Sequence, residues 1–201
     1  MIKAKIAVLV SGGGTNLQAL IDAQNSGIIK SGEISLVISN KPDAYALTRA
    51  KNAVIDTLVI EKNNNAEKFE SDIITALEEN GIDLIVLAGF MCILSERFTS
   101  RFANRILNVH PSLIPSFCGA GFYGLKVHEA ALGYGVKVTG ATVHFVNEIP
   151  DGGKIILQKA VEILDGDTPE ILQKRVMEQA EWKILPEATE MVAKQICEKG
   201  E

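Results

Sequence analysis

Short apolar runs along the chain alternate with stretches in which apolar residues recur every three or four positions. The first pattern is typical of buried strands, and the second of helices that pack one face against a sheet. The first five runs are almost wholly apolar, as expected for a parallel sheet covered on both faces. The runs predict seven strands, at residues 6–10, 34–39, 54–60, 82–88, 106–109, 136–146 and 155–161.

The helical stretches fall between and after these runs, at residues 16–25, 45–52, 66–80, 95–103, 126–133 and 169–199. This alternation predicts an α/β fold with helices on both faces of a mostly parallel sheet. The last two strands are separated only by NEIPDGG, residues 147–153, so they should pair antiparallel and make the sheet mixed. Pro186 lies inside the last helix and predicts a kink near it.

The composition of the chain argues against several classes of function. The chain has 201 residues, of which 47% are apolar, and this predicts one domain spanning residues 1–201. A net charge of −5 without clustered Lys or Arg argues against nucleic-acid binding and favours small-molecule partners. Three widely spaced cysteines predict neither a disulfide framework nor a zinc site, as in a reduced cytoplasmic protein. No apolar run suggests a signal peptide or a membrane span.

The loop after the first predicted strand, SGGGTNLQAL at residues 11–20, is rich in glycine and opens a helix. Free N–H groups and the dipole at a helix N-terminus favour an anion such as phosphate, and glycine lets the backbone approach it. Thr15 and Asn16 can cap the helix or donate to the ligand. A tight turn with an ordinary cap is the alternative. Leu17 replaces the third glycine of a dinucleotide fingerprint, and no Gly-Lys-Ser/Thr follows as in a P-loop.

The loop after the fourth predicted strand, AGFMCILS at residues 88–95, is apolar. Such a run would ordinarily pack into the core. The alternative is an apolar wall, with exposed backbone groups, for a flat heteroaromatic ligand. Ligands of open α/β sheets bind beyond the carboxyl ends of the strands, so both loops should border one crevice.

Asn108 and His110 stand at the end of the fifth predicted strand. Side chains two residues apart in a strand point to the same side, and an asparagine amide can donate to an oxyanion. Asp151, ahead of two glycines in the last turn, would add a carboxylate. Together the three groups predict a group-transfer site without a metal or covalent nucleophile. The alternatives are a core histidine and an ordinary turn aspartate.

Several stretches resemble the glycinamide ribonucleotide formyltransferase family of purine biosynthesis: SGGGTNLQAL, LAGFMCILS, NVHPSLIPSF and GATVHFVNEIPDGGKIILQ. The middle motifs are shared by folate-dependent formyltransferases, and the glycine-rich loop is typical of the purine branch. The resemblance implies a single-domain Rossmann-like fold. It also implies transfer of the formyl group of 10-formyltetrahydrofolate to the amine of phosphoribosylglycinamide, by a monomer or homodimer without a metal.

The same resemblance implies roles for residues at matching positions. The implied catalytic residues are Asn108, His110 and Asp151. The implied ribonucleotide-binding residues are Gly14, Thr15, Asn16 and Glu181. The implied folate-binding residues are Asn108, Met91, Cys92, Ile93 and Leu94.

The chain departs from the family in its folate site. Cys92 stands where well-known members have arginine, and Ala66 replaces another basic residue. Two charged contacts to the folate are therefore missing, unless Lys62 or Lys68 supplies them. Lys126 occupies a position that is histidine in many members.

The late helix and the remaining histidines also bear on the site. Trp182 follows Glu181 in place of the family's histidine, and the spacing from Arg175 is one residue longer. For His128 and His144 we expect structural roles.

Formyl transfer creates an oxyanion and a cationic amine. We expect Asn108 and a protonated His110 to donate to the oxyanion, each donor being worth roughly 10²–10³ in rate. Asp151 should raise the pKa of His110 and hold a water that relays the proton.

Three other functions are less favoured. A formyltetrahydrofolate deformylase would use water in place of the amine, but that family usually has an N-terminal regulatory domain and lacks the phosphate loop. Methionyl-tRNA formyltransferase carries an additional basic domain. A catalytically silent folate- or nucleotide-binding protein would not need all three candidate catalytic residues.

Overall fold

The computed structural model describes residues 3–199 and contains one seven-stranded sheet. Its strands are β1 (Ala4–Val10), β2 (Gly32–Ser39), β3 (Asp56–Val59), β4 (Leu84–Leu87), β5 (Ile106–His110), β6 (Val138–Phe145) and β7 (Ile155–Glu162). The strand order is β3-β2-β1-β4-β5-β6-β7. The first five strands are parallel, whereas β6 pairs antiparallel with both β5 and β7. The mixed sheet is therefore confirmed.

Within residues 3–199, seven α-helices connect or follow the strands: α1 (Thr15–Asn25), α2 (Tyr45–Asn52), α3 (Ala66–Glu79), α4 (Glu96–Arg101), α5 (Leu125–Tyr134), α6 (Pro169–Val176) and α7 (Trp182–Lys199). Two apolar clusters lie on opposite faces of the sheet. One includes buried residues of α1, α2, α6 and α7, and the other those of α3 and α4. Helices thus cover both faces, as the apolar strands predict. No described helix is long and apolar enough to cross a membrane.

Strand boundaries differ from prediction where an apolar residue lies in a turn. Val54 was expected to begin β3, but it has a left-handed φ of 59° and is 94% exposed. The strand starts only at Asp56, because a left-handed residue cannot continue an extended chain.

The predicted last helix is divided in two. A π-helical turn, Met177–Glu181, separates α6 from α7, and Pro186 lies inside α7. A π turn holds more residues than an α turn, so it accommodates the longer spacing after Arg175. The irregular turn ends next to Trp182, whose carbonyl would have accepted from the N–H that Pro186 lacks. The irregularity thus begins before the proline.

The loops after β1 and β4 meet at the point where the strand order reverses. The two strands that follow β1 lie on one side of it in the sheet, and β4 and those that follow lie on the other. The backbone N–H of Met91 donates to Ser11 Oγ at 2.9 Å and ties these loops together. In open α/β sheets ligands bind at such a switch point.

Candidate active site

Asn108 and His110 point to one side of β5, as expected for residues two apart. β5 pairs with β6 so that Asn108 lies directly opposite His144. Asn108 Nδ2 is 3.3 Å from His144 Nε2. His144 Nδ1 donates to the carbonyl oxygen of Phe145 at 2.8 Å, and this contact holds the ring beside the Asn108 amide.

Asp151 reaches this pair from the turn between β6 and β7. Its φ is 56°, and at Gly153 a Cβ atom would lie 1.7 Å from the Phe145 carbonyl oxygen. Only a glycine permits this close approach. Asp151 Oδ2 is 3.4 Å from His110 Nδ1, and Oδ1 is 3.6 Å from His144 Nε2. The three predicted catalytic residues therefore form one cluster with His144.

The segment after β5 closes over the cluster. His110 Nε2 is 2.9 Å from the carbonyl oxygen of Phe117, and the Gly119 N–H donates to Asp151 Oδ2 at 2.8 Å. A carbonyl can only accept, so His110 carries a proton on Nε2. The neutral ring therefore leaves Nδ1 as a base that faces Asp151.

The charges of this cluster differ from the expectation. Burial lowers the pKa of His110 and outweighs the Phe117 carbonyl and Asp151, which raise it. Burial alone would raise the pKa of Asp151, but His144, the Gly119 N–H and the nearby imidazole of His110 lower it overall. The resting site at neutral pH thus contains a carboxylate beside a neutral imidazole. Asp151 raises the pKa of His110 as expected, but burial outweighs it and favours the neutral ring over the protonated one that the sequence led us to expect.

Hydrogen bonds to β6 and β7 hold the turn that follows His110. Thr142 Oγ1 accepts from the Ile114 N–H at 3.1 Å and donates to the Ser112 carbonyl at 2.7 Å. Gln158 Nε2 donates to the Ile114 carbonyl at 3.0 Å. The turn is therefore fixed to the sheet before the chain reaches Phe117.

The glycine-rich loop leaves the N-terminus of α1 without a side-chain cap, so neither Thr15 nor Asn16 caps it. Gly14 has a left-handed φ of 70°, and a Cβ atom there would lie 2.6 Å from Ala46 Cβ. Cβ atoms at Gly12 and Gly13 would meet open space. The uncapped N–H groups and the helix dipole make this end of α1 suited to an anion.

Asn16 instead contacts Glu181, the other residue assigned to the ribonucleotide. Asn16 Nδ2 donates to Glu181 Oε2 at 2.8 Å, whereas Asn16 Oδ1 is buried without a partner among the described residues. Burial raises the pKa of Glu181 to about 7, and the Asn16 hydrogen bond only partly opposes it. The π turn thus places a weakly ionised carboxyl group beside the start of α1.

A cavity of about 540 Å³ opens between α1 and α7 beside the glycine-rich loop. Thr15, Arg49 and Trp182 contribute to its lining. Arg49 Nε donates to the Gly13 carbonyl at 2.8 Å, which adds a cation next to the uncapped helix end.

The loop assigned to folate alternates between exposed and inward-facing side chains. Met91 and Ile93 are 58% and 76% exposed, whereas Leu94 is buried in the core. Cys92 is half-buried, and Asn40 Nδ2 donates to its sulfur at 3.2 Å. Leu94 can therefore serve a ligand only through its backbone.

Two lysines lie near Cys92. Burial raises the pKa of this thiol, and the positive charges of Lys62 and Lys41 oppose the effect. Lys68 is 2.7 Å from Asp72 in an ion pair. Lys62 is thus better placed than Lys68 to replace the missing arginine charge.

Sequence reasoning missed contacts that depend on the register of strands and loops. His144 contacts Asn108 and Asp151, although a structural role was expected, and the backbone of residues 117–119 binds both His110 and Asp151. His128 is buried, its nitrogens have no partner among the described residues, and burial with nearby His110 lowers its pKa to about 4. The structural role expected for His128 stays a prediction.

Comparison with known proteins identifies the family. The formyl transferase family model matches residues 4–189. The chain belongs to the formyl transferase family. Phosphoribosylglycinamide formyltransferase of Haemophilus influenzae is 49% identical over 184 residues, which cover 90% of this chain and 84% of that protein. Human trifunctional purine biosynthetic protein adenosine-3 is 48% identical over 201 residues, but the chain spans only 19% of its length.

Solved structures of the formyl transferase family share the fold. Glycinamide ribonucleotide transformylase 1 from Symbiobacterium toebii superimposes with a TM-score of 0.89 at 42% identity, covering 96% of this chain and 89% of that one. The single-domain α/β fold with a mostly parallel seven-stranded sheet is that of glycinamide ribonucleotide transformylases.

Proposed function

We propose that this protein transfers the formyl group of 10-formyltetrahydrofolate to the amine of phosphoribosylglycinamide in purine biosynthesis, with Asn108, His110 and Asp151 as its catalytic residues. The observation that carries the proposal is the cluster at the end of β5, where Asp151 Oδ2 lies 3.4 Å from His110 Nδ1. The uncapped, glycine-rich start of α1 would bind the substrate phosphate. The exposed Met91 and Ile93 offer an apolar surface to the pteridine ring.

The residues suggest how the proton moves. Attack of the substrate amine on the formyl carbon forms a C–N bond and leaves a negative oxygen and an ammonium group. Neutral His110 accepts the ammonium proton at Nδ1, and Asp151 stabilises the resulting imidazolium. Asn108 Nδ2 donates to the oxyanion, one such donor being worth roughly 10²–10³ in rate.

The second half of the reaction returns the proton. The imidazolium of His110 protonates the folate nitrogen while the bond between that nitrogen and the formyl carbon breaks. The carbonyl group re-forms, and the products are the formylated amide and tetrahydrofolate. His110 is again neutral, as in the resting structure. A cytoplasmic location and a monomeric or homodimeric state stay predictions.

The test is an assay of purified protein with 10-formyltetrahydrofolate, with and without phosphoribosylglycinamide. Release of tetrahydrofolate that requires the ribonucleotide, with formation of the formylated amide, is the expected result. Release of tetrahydrofolate and formate without the ribonucleotide would instead identify a deformylase. Binding of either compound without turnover would identify a silent binding protein.

A further inference from the structure

One short backbone segment contacts both proposed catalytic side chains. The Phe117 carbonyl accepts from His110 Nε2 at 2.9 Å, and the Gly119 N–H donates to Asp151 Oδ2 at 2.8 Å. Only Cys118 separates Phe117 from Gly119, so a single displacement of the segment loosens both hydrogen bonds. The orientation of His110 and Asp151 therefore depends on what holds residues 117–119.

The backbone of this region favours several conformations. Phe117 has a left-handed φ of 49°, which disfavours a residue with a Cβ atom. Gly119 and Gly121 also have positive φ values, of 87° and 93°. Glycine populates many conformations, so this backbone needs side-chain contacts to stay in one of them.

Aromatic contacts supply that order. The Phe117 ring packs edge-to-face against Phe122, with centroids 6.4 Å apart at 61°, and against Tyr134, with centroids 6.0 Å apart at 70°. Tyr134 is 81% exposed, so its ring is otherwise largely in solvent. Tyr123 lies next to Phe122 but contacts Lys126 instead. Phe122 and Tyr134 thus both pack against Phe117.

We infer that Phe122 and Tyr134 are positioning residues for formyl transfer, which act by holding residues 117–119 against His110 and Asp151. The inference rests on the proposed roles of His110 and Asp151. The Phe117 carbonyl keeps the proton of His110 on Nε2 and leaves Nδ1 to accept the amine proton. The Gly119 N–H adds to the effect of His144 in keeping Asp151 ionised, and it holds Asp151 Oδ2 near that nitrogen.

The experiment compares Phe122→Leu and Tyr134→Leu with Tyr123→Leu, a control in the same region whose ring packs on Lys126 and not, among the described residues, in a ring pair with Phe117. Each of the first two variants should lower kcat roughly threefold to tenfold, as expected for one aromatic pair. KM for the ribonucleotide should stay unchanged, because the start of α1 is untouched. Tyr134→Phe retains the ring and should retain the wild-type kcat.

A second readout follows His110 directly, by ¹⁵N NMR of the histidine side chains. In the two Leu variants, water should reach the ring and the pKa of His110 should rise toward its ordinary value. Burial is the largest influence on this pKa. Weaker contacts with the Phe117 carbonyl and Asp151 would lower the pKa, but each is a smaller influence than burial. His128 and His144 also interact electrostatically with this ring. Each histidine signal is therefore assigned by comparison with the spectrum of a variant that lacks that histidine.

Lower kcat together with an altered His110 signal supports the inference. Values of kcat and a His110 signal equal to those of Tyr123→Leu would overturn it. His110→Ala is made alongside and tests the proposed function alone. If His110→Ala is inactive while both Leu variants behave as the control, only the positioning role fails; if His110→Ala is fully active, the proposed function fails.

Discussion

Asp151 is a partly buried and Glu181 a buried carboxyl group, both assigned to the active site, and their pKa values shift in opposite directions. Asp151 accepts the Gly119 N–H and faces two imidazole rings, and its pKa is lowered. Among the described residues, Glu181 has the Asn16 amide as its one hydrogen-bond partner, and burial raises its pKa to about 7. Burial penalises both anions, but Glu181 is more deeply buried and has fewer donors, so Asp151 is the one that stays charged.

This contrast separates two chemical tasks. A carboxylate that stays ionised can stabilise a transient imidazolium, as proposed for Asp151. A carboxyl group that titrates near neutrality can both donate and accept hydrogen bonds, which suits the contact with a ribose or glycinamide implied for Glu181. Changing each acid to its amide therefore tests whether charge or hydrogen bonding matters at each site.

The largest effect is expected at the ionised acid. Asp151→Asn should lower kcat by about 10²–10⁴, the range for lost acid–base assistance, with little change in substrate KM. His110→Ala should cost a similar factor. Because the two side chains are in contact and act on one proton, the double variant should be little slower than the slower single variant. Steady-state kinetics on all three variants measure this, and multiplicative losses would refute the coupling.

The pH profile of the same variants sharpens the assignment. The proposed mechanism requires a neutral His110, so the rate should fall at acid pH, below the ordinary histidine value of 6.5, since the pKa of His110 is lowered. Asp151 raises that pKa, so Asp151→Asn should move the acid limb to still lower pH. A limb that stays in place would show that another group titrates there.

An intermediate effect is expected at Glu181. Its pKa is about 7 in the folded protein against 4.5 for an ordinary glutamate, so the folded state binds this proton more tightly than the unfolded chain. The resulting stability is fully present below pH 4.5 and is lost as the pH rises through 7. Glu181→Gln keeps a neutral hydrogen-bonding group and should therefore stabilise the protein at pH 8, by up to about 3 kcal/mol.

Urea unfolding of wild type and Glu181→Gln at pH 4.5 and pH 8 checks this sign. The two proteins should differ little at pH 4.5, because the wild-type carboxyl group is then protonated in the folded state. Glu187→Gln, an exposed position in α7, is the matched control and should change stability little at either pH. Equal stability of wild type and Glu181→Gln at pH 8 would show that Glu181 is ionised without cost.

The sequence predicted what depends on apolar pattern and motif. The strands, the mixed sheet and the clustering of Asn108, His110 and Asp151 follow from runs of buried residues and from the strand-end rule. The charge of His110 could not be read in this way, because it depends on burial competing with two nearby acceptors. The contact with His144 depends on the register of β5 and β6, which sequence spacing alone does not fix.

The other differences from prediction concern the last helix and a contact between a helix end and a loop. The π turn at Met177–Glu181 coincides with the longer spacing after Arg175, whereas the sequence predicted a kink near Pro186. The packing of Tyr134 on Phe117 joins an exposed helix end to a loop, and no periodicity reports such a contact. Predictions were therefore most accurate for buried strands and least accurate for loops and charges.

The smallest effect is expected at the glycine-rich loop, where the contrast between neighbouring glycines gives a clean test. A methyl group at Gly14 would meet Ala46 and a left-handed φ, so Gly14→Ala should lose stability and confound any change in binding. At Gly13 a methyl group meets open space, and it would obstruct only a bound anion. Gly13→Ala should therefore raise KM for the ribonucleotide about tenfold, consistent with one weakened hydrogen bond to a charged group. KM for the folate and the melting temperature should stay near wild type, as they should in Gly133→Ala, a control whose added methyl group also meets open space. If Gly13→Ala raises both KM values equally, or neither, the phosphate does not bind at the start of α1.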